Sequence, residues 1–355
     1  MTYLERANFF DALNAQPYST WTDEDDPLLG DNELLDQQQN VLKIDVEQSA
    51  EAWNPMPAVP SAADDPRLPQ WFLDGAISSV EIAGSARDEL GYPRVIRAGQ
   101  IGVGATCSSP MTPNHKTFWR FVAFNGSGYT PESIAPLRLD LANAEVPHDL
   151  IVWSPASRDT ARSEYDLLSV RASVRNAARD EMLDRERMLV GQLNESVFVD
   201  GRYVDHSDLR ETCLVVGIIK GQRARYLSNR PLEVLYALQQ GERTPAFLIT
   251  STGRHWKDVK VITFYVRLNS PEIVGPSGGL VRVELSAQVL TTQIKTDWSI
   301  LDGIAAALTQ LRTRDASYPR GAVTVEPIRA IEHELHLIFR DTQMAALETL
   351  HLFRR

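Results

Sequence analysis

The sequence predicts a mixed α/β protein, a large sheet covered by helices and preceded by an acidic N-terminal extension. Three observations carry that expectation. Strand-like apolar runs begin at Trp71 and recur closely enough for an antiparallel meander. Between about Thr160 and Leu193 the period changes to that of a helix. After Leu193, strand runs alternate with helical ones. With 355 residues, 43% of them apolar and 8% aromatic, the chain can bury a sizeable core.

Taken in order, residues 1–15 place Leu4, Ala7, Phe10 and Leu13 along one side of a short helix. From Pro17 to Pro69 the pattern fails, and the acidic run Asp23–Asp26 is followed by Pro55, Pro57, Pro60 and Pro66. This composition predicts a docking arm or a partly disordered lead-in, so the chain divides into an arm, residues 1–69, and one domain, residues 70–355. Strands are expected at Trp71–Asp74, Ser78–Ala83, Arg94–Val103 and Phe118–Phe124. The run Gly99-Gln-Ile-Gly-Val-Gly104 is glycine-rich, yet it opens no helix and carries no Walker lysine, so it is not a phosphate loop. After the long helix come strand runs at Val197–Val199, Cys213–Ile219, Ala246–Thr250, Lys260–Leu268 and Leu280–Leu285. Helical periods occupy Trp298–Leu311 and Val325–Phe339.

The net charge of −11 argues at first against a nucleic-acid partner. Its distribution weakens the objection. Residues 1–66 hold fourteen acidic side chains against Arg6 and Lys43, a charge of −12, whereas the remainder, with 34 basic and 33 acidic residues, stands at +1. Clusters such as Lys220-Gly-Gln-Arg-Ala-Arg225 and Arg254-His-Trp-Lys257 are therefore free either to meet phosphates or to form solvated faces. The two cysteines, Cys107 and Cys213, form no metal-binding pair, which fits a reducing, cytoplasmic setting without structural zinc. Neither a signal peptide nor a membrane span is legible.

Two apolar runs end alike, Trp71-Phe-Leu-Asp-Gly75 and Val197-Phe-Val-Asp-Gly201. Either Asp-Gly pair alone is ordinary turn chemistry. Together, Asp74 and Asp200 at the ends of two buried strands can converge on one hard cation such as magnesium or manganese. On the long helix, Leu167, Val170, Val174, Ala177 or Ala178, and Met188 trace an apolar stripe on which Glu181 falls, whereas Glu186, about 500° further round, points away from it. A carboxylate on such a stripe needs a cation, either Arg185 or a shared metal. Glu332-His-Glu-Leu-His336 does not have zinc-protease spacing, and no G-x-S-x-G elbow supports a hydrolase triad.

With these residues in view, the chain resembles the NurA nucleases. The resemblance rests on Phe72-Leu-Asp-Gly75, Phe198-Val-Asp-Gly201, Val216-Gly-Ile-Ile-Lys220, Phe264-Tyr-Val-Arg-Leu268 and Tyr318-Pro319, and it spans about residues 70–340. It implies a ribonuclease H-like core and DNA end processing with two manganese or magnesium ions. It also implies a homodimer working with a HerA-type hexameric ATPase, in repair or antiviral defence. The implied metal ligands are Asp74, Asp200 and Glu181, with Lys220 adding charge stabilisation. Tyr265 either orients water or phosphate or is an ordinary strand tyrosine. On the last helix the family's histidine position holds Glu326 here, which is favoured as a fourth ligand, with His333 in an outer role or at the surface. Two other classes stay open: an adaptor with a degenerate site that docks on the ATPase, and a plain DNA-binding module.

Overall fold

The computed structural model describes residues 16–17, 41–60, 68–85, 91–109, 111, 114–144, 146–154, 165–203, 213–221, 226–251, 259–294, 297–315 and 321–354. The expected helix in residues 1–15, the acidic run Asp23–Asp26, the basic clusters at 222–225 and 254–257, and Tyr318-Pro319 lie outside them.

The chain forms a large mixed sheet flanked by helices. Beside a two-residue strand, Gln16–Pro17, that pairs with Ala83–Gly84, and a one-turn helix, Pro271–Val274, its strands and helices, in chain order, are β1 (Val41–Lys43), β2 (Met56–Pro57), β3 (Trp71–Ser85), β4 (Arg94–Cys107), β5 (His115–Asn125), α1 (Pro131–Ala142), β6 (Asp149–Trp153), α2 (Leu167–Leu193), β7 (Val197–Asp200), β8 (Val215–Ile219), α3 (Asn229–Ala237), β9 (Glu242–Arg243), β10 (Phe247–Ser251), β11 (Val259–Arg267), β12 (Leu280–Ser286), α4 (Ser299–Gln310), α5 (Glu326–Ile338) and α6 (Thr342–Arg354). The sheet order is β1-β10-β11-β12-β8-β7-β3-β4-β5-β6. β3, β4 and β5 make the expected antiparallel meander. β7 adds to β3, and β8 to β7, in parallel.

Alternation along the strands splits the core between two faces. Leu73, Val197 and Val199 point towards α2 and α3. Phe72, Phe198, Val216 and Ile218 point towards α4 and α5. The glycine run inside β4 explains how α5 comes so close: a Cβ at Gly102 would stand 2.9 Å from Phe339, and one at Gly104 would stand 2.8 Å from Ile331. These glycines admit a helix rather than a phosphate.

α2 is 27 residues long, roughly 40 Å at the helical rise. It starts where Asp166 caps it by accepting from the Ser169 N–H at 2.9 Å. It ends at Asn194, whose φ of 50° is left-handed.

Part of the segment expected to be an arm is built into this fold. β1 pairs with β10, and β2 pairs with β9. Trp53 is fully buried, with its ring 6.0 Å from that of Phe247. Glu47 reaches the buried Arg243 at 2.8 Å and also accepts from the Ala246 N–H at 2.7 Å. The proline and acid content of residues 41–58 hid these contacts, because one buried tryptophan and one paired glutamate leave no periodic signal. The expected meander strands at Trp71–Asp74 and Ser78–Ala83 are one continuous strand, β3, and α1, β6, α3 and α6 had no sequence expectation.

Candidate metal centre

β3 and β7 run side by side in register up to Leu73 and Val199. One residue further along stand Asp74 and Asp200. Both side chains lie on the α5 face, since each is two residues from a phenylalanine of that core, Phe72 or Phe198. From α5, Glu332 completes the group: one carboxylate oxygen each from Asp74, Asp200 and Glu332 lies within 4.8 Å of the others. Lys220, the residue after β8, ties two of them together. Its Nζ lies 2.7 Å from Asp200 Oδ2 and 3.3 Å from Glu332 Oε1.

A fourth carboxylate arrives from the opposite face. At Gly75 a side chain would collide with Glu186 Oε1 and come within 3.1 Å of Met182, so the glycine opens the gap through which Glu186 approaches. The Gly75 N–H also donates to Asp74 Oδ1 at 2.8 Å.

The electrostatics follow from this crowding. Burial, and then Asp200, push the Asp74 carboxyl well above the usual carboxylate range. Glu186 and Glu332 add to the shift, and Lys220 opposes it. Burial and Asp200 raise Glu186 to about 8, with Arg179 and the Gly75 backbone acting the other way. Burial alone would depress Lys220, but Asp200, Glu332 and Asp74 outweigh it and hold the ammonium protonated. Acid groups this close do not all ionise beside one lysine unless further positive charge joins them. The donor set is all oxygen and partly buried, which fits a hard divalent cation.

Two expected ligands stand elsewhere. Glu181 is bound by Arg185 at 2.7 Å. The same guanidinium reaches Asp149 at 3.0 Å and lies over Trp119, 4.6 Å from the ring centroid. Of the two partners open in the sequence, Glu181 takes the arginine. The reason is one residue of helical phase: the buried stripe of α2 runs Val170, Val174, Ala178, Met182, Glu186. Glu181 is about 100° off that line. Met188, counted on the stripe from sequence, is 57% exposed. Glu326, in the first turn of α5, pairs with Arg329 at 3.1 Å. Six residues separate it from Glu332, about 9 Å along the axis and roughly 240° around it. His333 is exposed.

Tyr265 lies in the core beneath α2 and α3, stacked on Phe247 with ring centroids 6.2 Å apart. β12 and β8 separate its strand from β7. The signal for Glu332 was present in the sequence. The buried line of α5 is Ile328, Ile331, Leu335, and Glu332 is four residues from the first of these and three from the last.

Residues 150–320 match the family model described as the NurA domain. That stretch resembles a NurA domain. Glu186, Asp200 and Lys220 fall inside the match, and Asp74 and Glu332 fall outside it. Among solved structures, the NurA nuclease from Sulfolobus solfataricus is 11% identical, covers 83% of this chain and 91% of its own, and superposes with a TM-score of 0.35. The catalytic domain of human endonuclease V is 12% identical, with coverages of 82% and 90% and a TM-score of 0.31. No curated protein matches the chain. Among the described residues, no helix is long and apolar enough to cross a membrane.

Proposed function

We propose that the chain is a divalent-metal-dependent deoxyribonuclease that processes DNA ends, with Asp74, Asp200, Glu332 and Glu186 around the metal. The observation that carries this reading is the convergence of three carboxylate oxygens within 4.8 Å, beside a fourth carboxylate and one lysine, in a chain whose residues 150–320 resemble a NurA domain. Manganese or magnesium held there, as one ion or two, would supply Lewis-acid stabilisation of phosphate charge and a more acidic water. The chain's own groups do the rest. Asp74 and Asp200 fix the centre on two rigid strands. Glu332 closes it from the helix side, and Glu186 adds negative charge from beneath. Lys220 keeps the Asp200 and Glu332 carboxylates in place and adds a fixed positive charge beside the phosphate. The strand order β5-β4-β3-β7-β8, a meander followed by two parallel additions to its first strand, supports a ribonuclease H-like core.

The family supports the wider reading, in which a homodimer in the cytoplasm works with a HerA-type hexameric ATPase that feeds it DNA, in repair or antiviral defence. The acidic segment preceding residue 41 serves as a docking element for a protein, because its charge repels phosphates. The test is digestion of end-labelled linear DNA in manganese by the wild type and by Asp74→Ala, Asp200→Ala and Glu332→Ala. Activity in the wild type alone supports the reading. A wild type that digests nothing but still copurifies with a hexameric ATPase selects the adaptor instead.

A further inference from the structure

The chain leaving Asp200 is held from behind by a buried ion pair outside the acid cluster. Gly201 turns it with a φ of 122°, a conformation open to glycine and strained for other residues, and its N–H donates to the Ile218 carbonyl at 2.8 Å. Tyr203 then crosses β8 at Gly217. A Cβ on Gly217 would stand 2.5 Å from the Tyr203 nitrogen and 2.8 Å from the Gly201 oxygen. Glu284, the cross-strand partner of Gly217, accepts from the Tyr203 N–H through Oε2 at 3.2 Å and from Arg282 through Oε1 at 3.0 Å. Arg282 also lies over the ring of Tyr226, 4.7 Å from its centroid. The Arg282 and Glu284 side chains are 1% and 0% exposed.

Apolar residues of the same volume would fill this space at least as stably as two buried charges. What the pair provides instead is an anionic acceptor for a backbone N–H three residues beyond Asp200, in a slot that exists because position 217 lacks a side chain. We propose that Glu284, oriented by Arg282 and admitted by Gly217, is a positioning residue for the metal centre: it anchors the chain after Asp200 so that the Asp200 carboxylate meets Asp74 and Glu332. Anchors of this outer kind are worth about 10–100-fold in metal affinity where ligands depend on them. The proposal rests on reading Asp74, Asp200 and Glu332 as metal ligands.

The test is manganese binding to the full chain by isothermal titration calorimetry, with thermal melting alongside. The Arg282→Met/Glu284→Leu double variant removes the anchor without leaving a lone buried charge. It is expected to melt near the wild type and to bind manganese at least about tenfold more weakly. Arg282→Met/Glu284→Gln keeps an acceptor oxygen for the Tyr203 N–H without leaving Arg282 a lone buried cation, and is expected within about threefold of the wild type, a recovery that general loosening would not produce. Wild-type affinity in a folded Arg282→Met/Glu284→Leu variant overturns the proposal alone, whereas a wild-type chain that takes up no manganese sinks the metal reading and the proposal with it. Should that double variant not fold, Gly217→Ala decides: it leaves the ion pair in place and displaces only the crossing chain. Weaker binding there upholds the anchor, and undiminished binding overturns it.

Discussion

At Asp74 and Glu186 burial, and then the neighbouring Asp200, runs against ionisation, and this gives the protein a pH signature. The ordinary value for Glu186 is 4.5 and its value in the fold is about 8. Between these limits the folded state holds a proton that the unfolded state has lost, so stability falls as pH rises through that window. Thermal melting in a chelator should accordingly show a lower midpoint at pH 8 than at pH 5. Added manganese should remove most of the difference, and Glu186→Gln should flatten the slope. A metal-free wild type whose midpoint rises over this range would contradict the assignment. The two glutamates of α2 separate in activity as well. Glu186→Gln should lower cleavage about 10–100-fold, as loss of a group that supports a metal site does. Glu181→Gln should stay within about threefold, since it touches Arg185 rather than the cluster. On α5 the same contrast is expected between Glu332→Gln and Glu326→Gln, measured as initial rates at limiting manganese with rescue of Glu332→Gln by excess metal.

Elements matter here through the way they approach one another. α2 brings Glu186 under β3 only because position 75 is a glycine, and α5 brings Glu332 over it only because β4 carries Gly102 and Gly104. Gly75→Ala should therefore abolish cleavage while leaving the far-ultraviolet circular dichroism unchanged, because the methyl displaces Glu186 rather than the sheet. The segment 41–58 is an element of the same kind. Glu47→Ala removes one partner of the buried Arg243, whose other carboxylate, Asp302, remains at 2.6 Å. Breaking one side of a buried pair should cost on the order of 3 kcal/mol, read as a shift in the urea midpoint. By the same reasoning, a chain starting at Asp65 loses Trp53 as well and should fold poorly. A chain starting at residue 41 keeps both side chains and should retain its metal-dependent activity.

At the scale of the whole molecule, one sheet carries apolar clusters on both of its faces, and the acid cluster lies where β3, β7 and β8 meet α5. Much of this was legible in the sequence. The alternating α/β order, the meander, the long helix, and Asp74 and Asp200 each closing an apolar run are properties of local period and of chemistry at fixed positions, although β3 continues past Asp74 to Ser85 where a strand end was expected. Lys220 was legible for the same reason, as the residue that closes an apolar strand. The tertiary structure decided what depends on rotation and on distance across the sequence. A stripe misread by one residue turns a helix by about 100°, enough to exchange Glu186 for Glu181. Glu332 became part of the site through contact with strands more than 130 positions earlier in the chain. The place of Trp53 and Glu47 was likewise set by partners on distant strands. Which residues fall on one line is written in the chain, but which lines meet is decided only when the sheet closes and its glycines let the helices in.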